Sequence, residues 1–170
     1  MDLRFVAPTL RRLDLSGTEV LVAGLIKGER PPQGVAGLVD WRLSGRISKL
    51  ISSGFADGEL GDVLLIPGKP KLPFDKLVFF GVGAANEFDE RVYRLVLEKV
   101  LKTLEGLRAR RAVVELPGRS AELITAERAA SLLLDLTEAR LEHDSWTLVE
   151  SAEGQRSIQK LLLRDRRRRE

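Results

Sequence analysis

The chain has 170 residues, 44% hydrophobic and 31% charged, which is the composition of one globular domain with its own core. It contains no cysteine and a single histidine, His143, which excludes disulfides, cysteine-ligated metals, a thiol nucleophile and a two-histidine metal site. The formal net charge is +3, but without residues 164–170 the chain has 23 basic and 23 acidic residues. The positive excess therefore lies in the arginine-rich end and predicts no basic face on the domain body.

The pattern of apolar residues predicts six strands and four helices. The strands are expected at residues 3–13, Glu19–Ile26, Asp62–Pro67, Lys76–Val82, Arg111–Leu116 and Asp144–Glu150, and the helices at Val35–Ser52, after a cap at Asn86, at Ala126–Leu141 after Thr125, and after Ser151. Strands that alternate with helices of this length predict an α/β fold, with a mixed sheet flanked by helices on both faces. We expect residues 1–150 to form the domain and residues 151–170 a terminal helix with an arginine-rich tail.

No apolar run approaches the ~20 residues of a membrane-spanning helix, and the first residues lack the order of a secretory signal. With no cysteine to oxidise, we expect a cytoplasmic protein that does not engage a membrane.

The small-residue loop from Gly81 to Asn86 is the first candidate ligand site. It lies between a predicted strand and a predicted helix, where Gly81, Gly83 and Asn86 would leave backbone amides free for a phosphate. The alternative is that the glycines only make a tight turn, because the third glycine of a dinucleotide fingerprint is absent.

Three further features allow a functional and a structural interpretation. Asp57, Glu59 and Asp62 could hold a cation, but two nearby glycines explain the segment as a turn, so we assign no metal site. His143 could act as a base beside Ser145, although we expect a solvated loop histidine. Trp41 could stack on a base, although a half-buried helix residue is the simpler interpretation.

The terminal helix offers two candidate surfaces. An apolar stripe of Ile158, Leu161 and Leu162 could bind another chain. The arginines that follow could bind nucleic-acid phosphates, or could simply complement the end of the helix dipole; they are Arg164, Arg166, Arg167, Arg168 and Arg169.

Four segments, in order, resemble the N-terminal domain of the leucine aminopeptidase family: VLVAGL, VDWRLSGRISKLI, a G-x-x-G-D-x-L-L-I-P turn and strand, and LVFFGVG. The resemblance covers residues 3–150 and implies a macro-domain-like fold. The family's catalytic C-terminal domain carries the metal ligands and the signature N-T-D-A-E-G-R-L, which this sequence lacks. No catalytic residue, metal ligand or cofactor is therefore carried over to this chain.

The resemblance leaves three functional hypotheses. The first is a non-catalytic module that associates with itself, as a homo-oligomer, or with another protein. The second is an ADP-ribose-like nucleotide binder or hydrolase, because macro domains bind ADP-ribose through an early Asp and a glycine-rich phosphate loop; this chain has no Asp in the expected strand. The third is DNA binding through the arginine tail.

Overall fold

A computed structural model describes the backbone of residues 1–169 and the side chains of residues 1–168. Its strands are β1 (Asp2–Val6), β2 (Thr18–Ile26), β3 (Val63–Pro67), β4 (Phe74–Gly83), β5 (Arg111–Val114) and β6 (Ser145–Val149). Its α-helices are α1 (Leu10–Asp14), α2 (Gly34–Arg42), α3 (Arg46–Ser52), α4 (Glu90–Gly106), α5 (Ala126–Thr137) and α6 (Ala152–Arg169). No helix in this part of the chain is long and apolar enough to cross a bilayer.

The six strands form one sheet in the order β1-β6-β5-β2-β4-β3. All neighbouring pairs are parallel except β3 and β4, which are antiparallel. The prediction of a mixed sheet is confirmed, and the single antiparallel strand lies at one edge.

Helices cover both faces of the sheet, as predicted. One face packs against α4, α5 and α6 around a core that includes Tyr93, Leu133 and Trp146, all fully buried. The other packs against α1, α2 and α3 around a second core that includes Leu13, Val35 and Phe79. Alternate residues of the central strands pack into the two cores. Both faces of these strands are therefore buried, which explains why their sequences are continuous apolar runs.

The first predicted strand is wrong over its second half. The chain leaves the sheet at Val6, and Thr9 then caps the short helix α1 by accepting a hydrogen bond from the Arg12 amide at 3.3 Å. Pro8 lies between the two elements, where a residue without an amide hydrogen ends the strand.

The predicted helix over Val35–Ser52 is in fact two helices. Ser44 and Gly45 both adopt positive φ, 56° and 83°, which stops α2 and turns the chain into α3. Asp40 then accepts bonds from the Ser48 amide at 2.9 Å and the Ser48 hydroxyl at 2.6 Å, so a side chain of α2 caps α3.

The helix predicted after Asn86 begins later. Asn86 lies in a single 3-10 turn, and the residue that caps α4 is Asp89, whose carboxylate accepts a bond from the Val92 amide at 2.9 Å. The prediction of a cap at Ser151 is confirmed, because its hydroxyl accepts a bond from the Gly154 amide at 3.1 Å.

Candidate functional site

A cleft lies where the parallel strands β5 and β6 end. The residues that directly follow these neighbouring strands are Glu115 and Glu150, and both are buried. Carboxyl ends of parallel strands meet at one edge of the sheet, which is where ligand sites of α/β folds form. The cleft has a volume of about 420 Å³ and is also lined by Gly34, Arg119 and Ser151.

Glu115 closes the start of α2. One of its carboxylate oxygens accepts a hydrogen bond from the Val35 amide at 2.9 Å, and the helix's own N-terminal residue, Gln33, makes no side-chain cap. A Cβ on Gly34 would lie 2.7 Å from that oxygen. Only glycine therefore allows the helix to approach the carboxyl so closely.

Glu150 closes the start of α6 in the same way. It accepts a bond from the Ser151 amide at 3.0 Å and forms a two-pronged ion pair with Arg119, at 2.8 and 2.7 Å. Both side chains of the ion pair are nine-tenths buried. The remaining guanidinium nitrogen, Nη1, donates to the Ile124 carbonyl at 2.7 Å. All three nitrogens of Arg119 are therefore engaged within the protein.

Burial raises the pKa of Glu115 to about 7. The hydrogen bond from the Val35 amide opposes this effect, whereas the negative charges of Glu150 and Glu29 add to it. Ion pairing with Glu150, by contrast, raises the already high pKa of Arg119.

These contacts define what the cleft can bind. Helix N-termini attract anions, and here the N-termini of α2 and α6 are both occupied by carboxylates of the chain itself. The single arginine of the cleft is neutralised by Glu150. The arrangement is therefore poorly suited to a phosphate, since an incoming anion meets two carboxyl groups and no free cation.

The structure engages the two glycine amides of the small-residue loop that the ligand prediction requires to be free. The Gly81 amide donates to the Asp62 carbonyl and the Gly83 amide to the Gly58 carbonyl, both at 2.9 Å. A Cβ on Gly81 would lie 1.9 Å from the Glu59 carbonyl oxygen, so the glycine is needed for close packing. Asn86 is exposed on its 3-10 turn and does not join these groups in a site.

The apolar stripe of α6 is largely an internal contact. Ile158 is fully buried, so it offers no surface to another chain and that part of the interface prediction is corrected. Leu161 and Leu162 are half-buried and pack against the same core.

The arginines lie on a continuous helix rather than on a frayed tail. Arg164 pairs with Glu127 of α5 at 2.6 Å. Arg166, Arg167 and Arg168 are exposed. Arg167 and Arg168 follow Arg164 at three- and four-residue spacing and share its side of the helix, whereas Arg166 points to the opposite side. The side chain of Arg169 lies outside the described residues.

Three sequence candidates remain, which are the acidic segment around Asp57 and Glu59, His143 and Trp41. Asp57 accepts a bond from the Glu59 amide, and Glu59 pairs with Lys27. Among the described residues no group of three acidic or histidine side chains could hold a metal.

His143 is buried, not solvated, and its Nε2 lies 3.1 Å from the Glu105 carboxylate rather than bonding Ser145. Its ring meets Trp146 edge to face, with 5.6 Å between the ring centres. Trp41 is 78% exposed, where a half-buried residue was expected.

Sequence reasoning missed Glu115, Arg119 and Glu150. A usable signal was present, because two apolar runs, RAVVE and WTLVE, each end in a glutamate. Assigning these glutamates to loops after parallel strands would have brought them together at one sheet edge.

A second surface lies along the edge of the sheet that is formed by β3. Four large apolar side chains are between 39% and 50% exposed there, and we call this set the β3 surface: Leu60, Val63, Leu65 and Leu95. Leu60 and Leu95 line one groove of about 230 Å³ with Phe80, the cross-strand partner of Val63. The surface exists because α4 covers β4 and stops short of β3.

Comparisons with known proteins come from sequence and from structure. Residues 22–141 match the model of the cytosol aminopeptidase family, N-terminal domain. A probable cytosol aminopeptidase of Halorhodospira halophila is 29% identical over 128 residues, which are 74% of this chain and 26% of that protein. This chain thus spans about a quarter of the length of that relative.

Two solved structures show the same fold at 14% sequence identity. A mutant of tomato leucine aminopeptidase matches 95% of this chain and 35% of its own length with a TM-score of 0.65. A Trypanosoma brucei macrodomain in complex with ADP matches 95% of this chain and 69% of its own length with a TM-score of 0.70.

Proposed function

Because this chain belongs to the cytosol aminopeptidase family through its N-terminal domain, we propose that it is a non-catalytic module that acts by binding a protein chain. The observation that carries the proposal is the β3 surface, where an open sheet edge and four exposed apolar side chains coincide. Contiguous apolar surface of this kind is typical of protein contacts.

The cleft supports a module without catalysis. Its buried polar groups are bonded to one another or to helix amides, which leaves Glu115, Glu150 and Arg119 in structural roles. The same contacts disfavour the ADP-ribose alternative, because phosphates would compete with two built-in carboxylates for the helix N-termini.

The distribution of arginines on α6 disfavours the DNA alternative. Arg164 already pairs with Glu127, and Arg166 lies on the opposite side of the helix, so among the described side chains only Arg167 and Arg168 remain together on one side without such a pair. A phosphate backbone would meet few of them at once.

The proposal places the module in the cytoplasm, where the names of its aminopeptidase relatives place those proteins.

Site-specific photo-crosslinking tests the proposal. A photoreactive amino acid is placed at Leu65 on the β3 surface or, as the control, at Leu141, which is 84% exposed in the turn before β6. In cells that make the protein, we expect adducts of one defined mass from position 65 and none from position 141. Leu95→Asp should remove the adduct, because it puts a charge into the apolar contact.

The outcomes of this experiment are distinct. An adduct of twice the chain mass is association with a second copy, and an adduct of another mass is association with a different protein. Failure of position 65 to give an adduct above the level of position 141 overturns the proposal.

A further inference from the structure

The backbone of β3 is free to accept another strand. The Gly81 amide donates to the Asp62 carbonyl and the Gly68 amide to the Asp75 carbonyl. The backbone amides and carbonyls of the even-numbered residues of β3 therefore point towards β4. By the alternation of an antiparallel ladder, the amides of Val63 and Leu65 and the carbonyl of Pro67 point away from the sheet. These are the unpaired groups that an added strand would bond.

The other edge strand of the sheet carries charges and β3 carries none. In β1, two of the five residues are charged, Asp2 and Arg4, and they pair with each other at 3.1 Å. The sequence of β3 is VLLIP, without a charge. Charged residues on an edge strand discourage pairing, so β3 is the edge better suited to it, with the amides of Val63 and Leu65 available and only Pro67 lacking one.

The side chains beside this edge are apolar in the centre and basic at both ends. Lys99 lies over the start of β3, where its amine donates to the Gly61 carbonyl. At the other end, Lys76 is the cross-strand partner of Pro67, and Lys102 shares the helix face of Leu95 at a seven-residue spacing. Within the described residues none of these three lysines forms an ion pair, and the one acidic residue that lines the groove is Asp62.

This charge distribution selects the partner. A second copy placed antiparallel against β3 would bring its own lysines to the same edge, and like charges at an interface are costly. Pro67 would also withhold an amide from each half of such a pair. A different segment with acidic ends would instead meet the lysines favourably.

We propose that the β3 edge binds an extended segment of another protein, apolar in its centre and acidic at its ends, which adds as a seventh strand. The inference rests on the association proposed above and narrows it to one class of partner. Backbone hydrogen bonds to Val63 and Leu65 would hold the segment, its apolar side chains would cover the β3 surface, and its carboxylates would pair with the lysines.

Short labelled peptides test this. The probe is Glu-Thr-Val-Thr-Val-Thr-Glu, and the matched control replaces both Glu residues with Lys. We expect the acidic peptide to bind the intact protein about tenfold more tightly than the basic one, by fluorescence anisotropy at low salt. A third peptide, the acidic one with alternate backbone amides methylated, should lose binding because it cannot bond the edge.

A second experiment reverses the charge in the protein instead of in the peptide. The double variant Lys76→Glu and Lys102→Glu should prefer the basic peptide, and its melting temperature shows whether it is folded. Equal binding of the acidic and basic peptides, or undiminished binding of the methylated one, overturns the inference. The inference is also overturned if the protein has the solution mass of two chains and Leu95→Asp, a variant of the β3 surface, reduces that mass to one chain. That result would leave the proposed association intact, because the partner would be a second copy.

Discussion

Glu115 is the residue whose charge state sets a pH dependence. Burial raises its pKa from 4.5 to about 7 in the folded protein. The stabilising contribution of its protonated form is complete below about pH 4.5 and is lost as the pH rises through about 7, a change of about 3 kcal/mol. Glu115→Gln should therefore melt several degrees above the wild type at about pH 8 and match it at about pH 5.

A matched variant isolates the effect of burial. Glu122 lines the same cleft but is exposed, so Glu122→Gln should leave the pH profile of the melting temperature unchanged. A Glu115→Gln variant that melts below the wild type at high pH would show that α2 requires the charged carboxylate, contrary to the expectation.

Gly81 illustrates a glycine that serves packing. Gly81→Ala should destabilise the fold by about 3 kcal/mol, because the new Cβ would collide with the Glu59 carbonyl and push residues 58–62 off β4. Chemical denaturation measures the loss. Gly106→Ala is the control, since nothing lies within 4 Å of that position, and it should be neutral or mildly stabilising. Equal effects of the two substitutions would contradict the packing role.

At the scale of elements, α6 is held to the domain by a narrow apolar stripe. The double variant Leu161→Asp and Leu162→Asp should lower the melting temperature, with a loss of about 2–4 kcal/mol, because both side chains pack on the core beside Ile158. Light scattering should give the same solution mass as for the wild type. A lower mass with an unchanged melting temperature would instead make the stripe an interface between chains.

Helix boundaries show where sequence periodicity stops being informative. The apolar spacing from Val35 to Ser52 continues across Ser44 and Gly45, because α2 and α3 both face the second core. The break comes from two positive φ angles, one of them at a serine, and from a cap supplied by Asp40. A pattern of apolar residues reports which face is buried and carries no information about a turn between two helices that share that face.

For the whole molecule, apolar patterning was sufficient for the fold and insufficient for the cleft. All six strands and the mixed sheet follow from runs such as EVLVAGLI, since burial is a property of each segment. Glu115 and Glu150 come together only because β5 and β6 are neighbours, although 35 positions separate these glutamates in sequence. The same holds for the β3 surface, which depends on how far α4 extends over the sheet.

The pairing of β1 with β6 has a consequence for how the chain is made. Asp2 lies beside Ser145 and Val6 beside Val149, so the first strand pairs with the last, whereas β3 and β4 are joined by a short connection. A ribosome releases β1 long before β6 has been translated. Until then, Leu3 and Phe5 have no strand to join. The domain therefore completes its sheet only when its own synthesis is nearly finished.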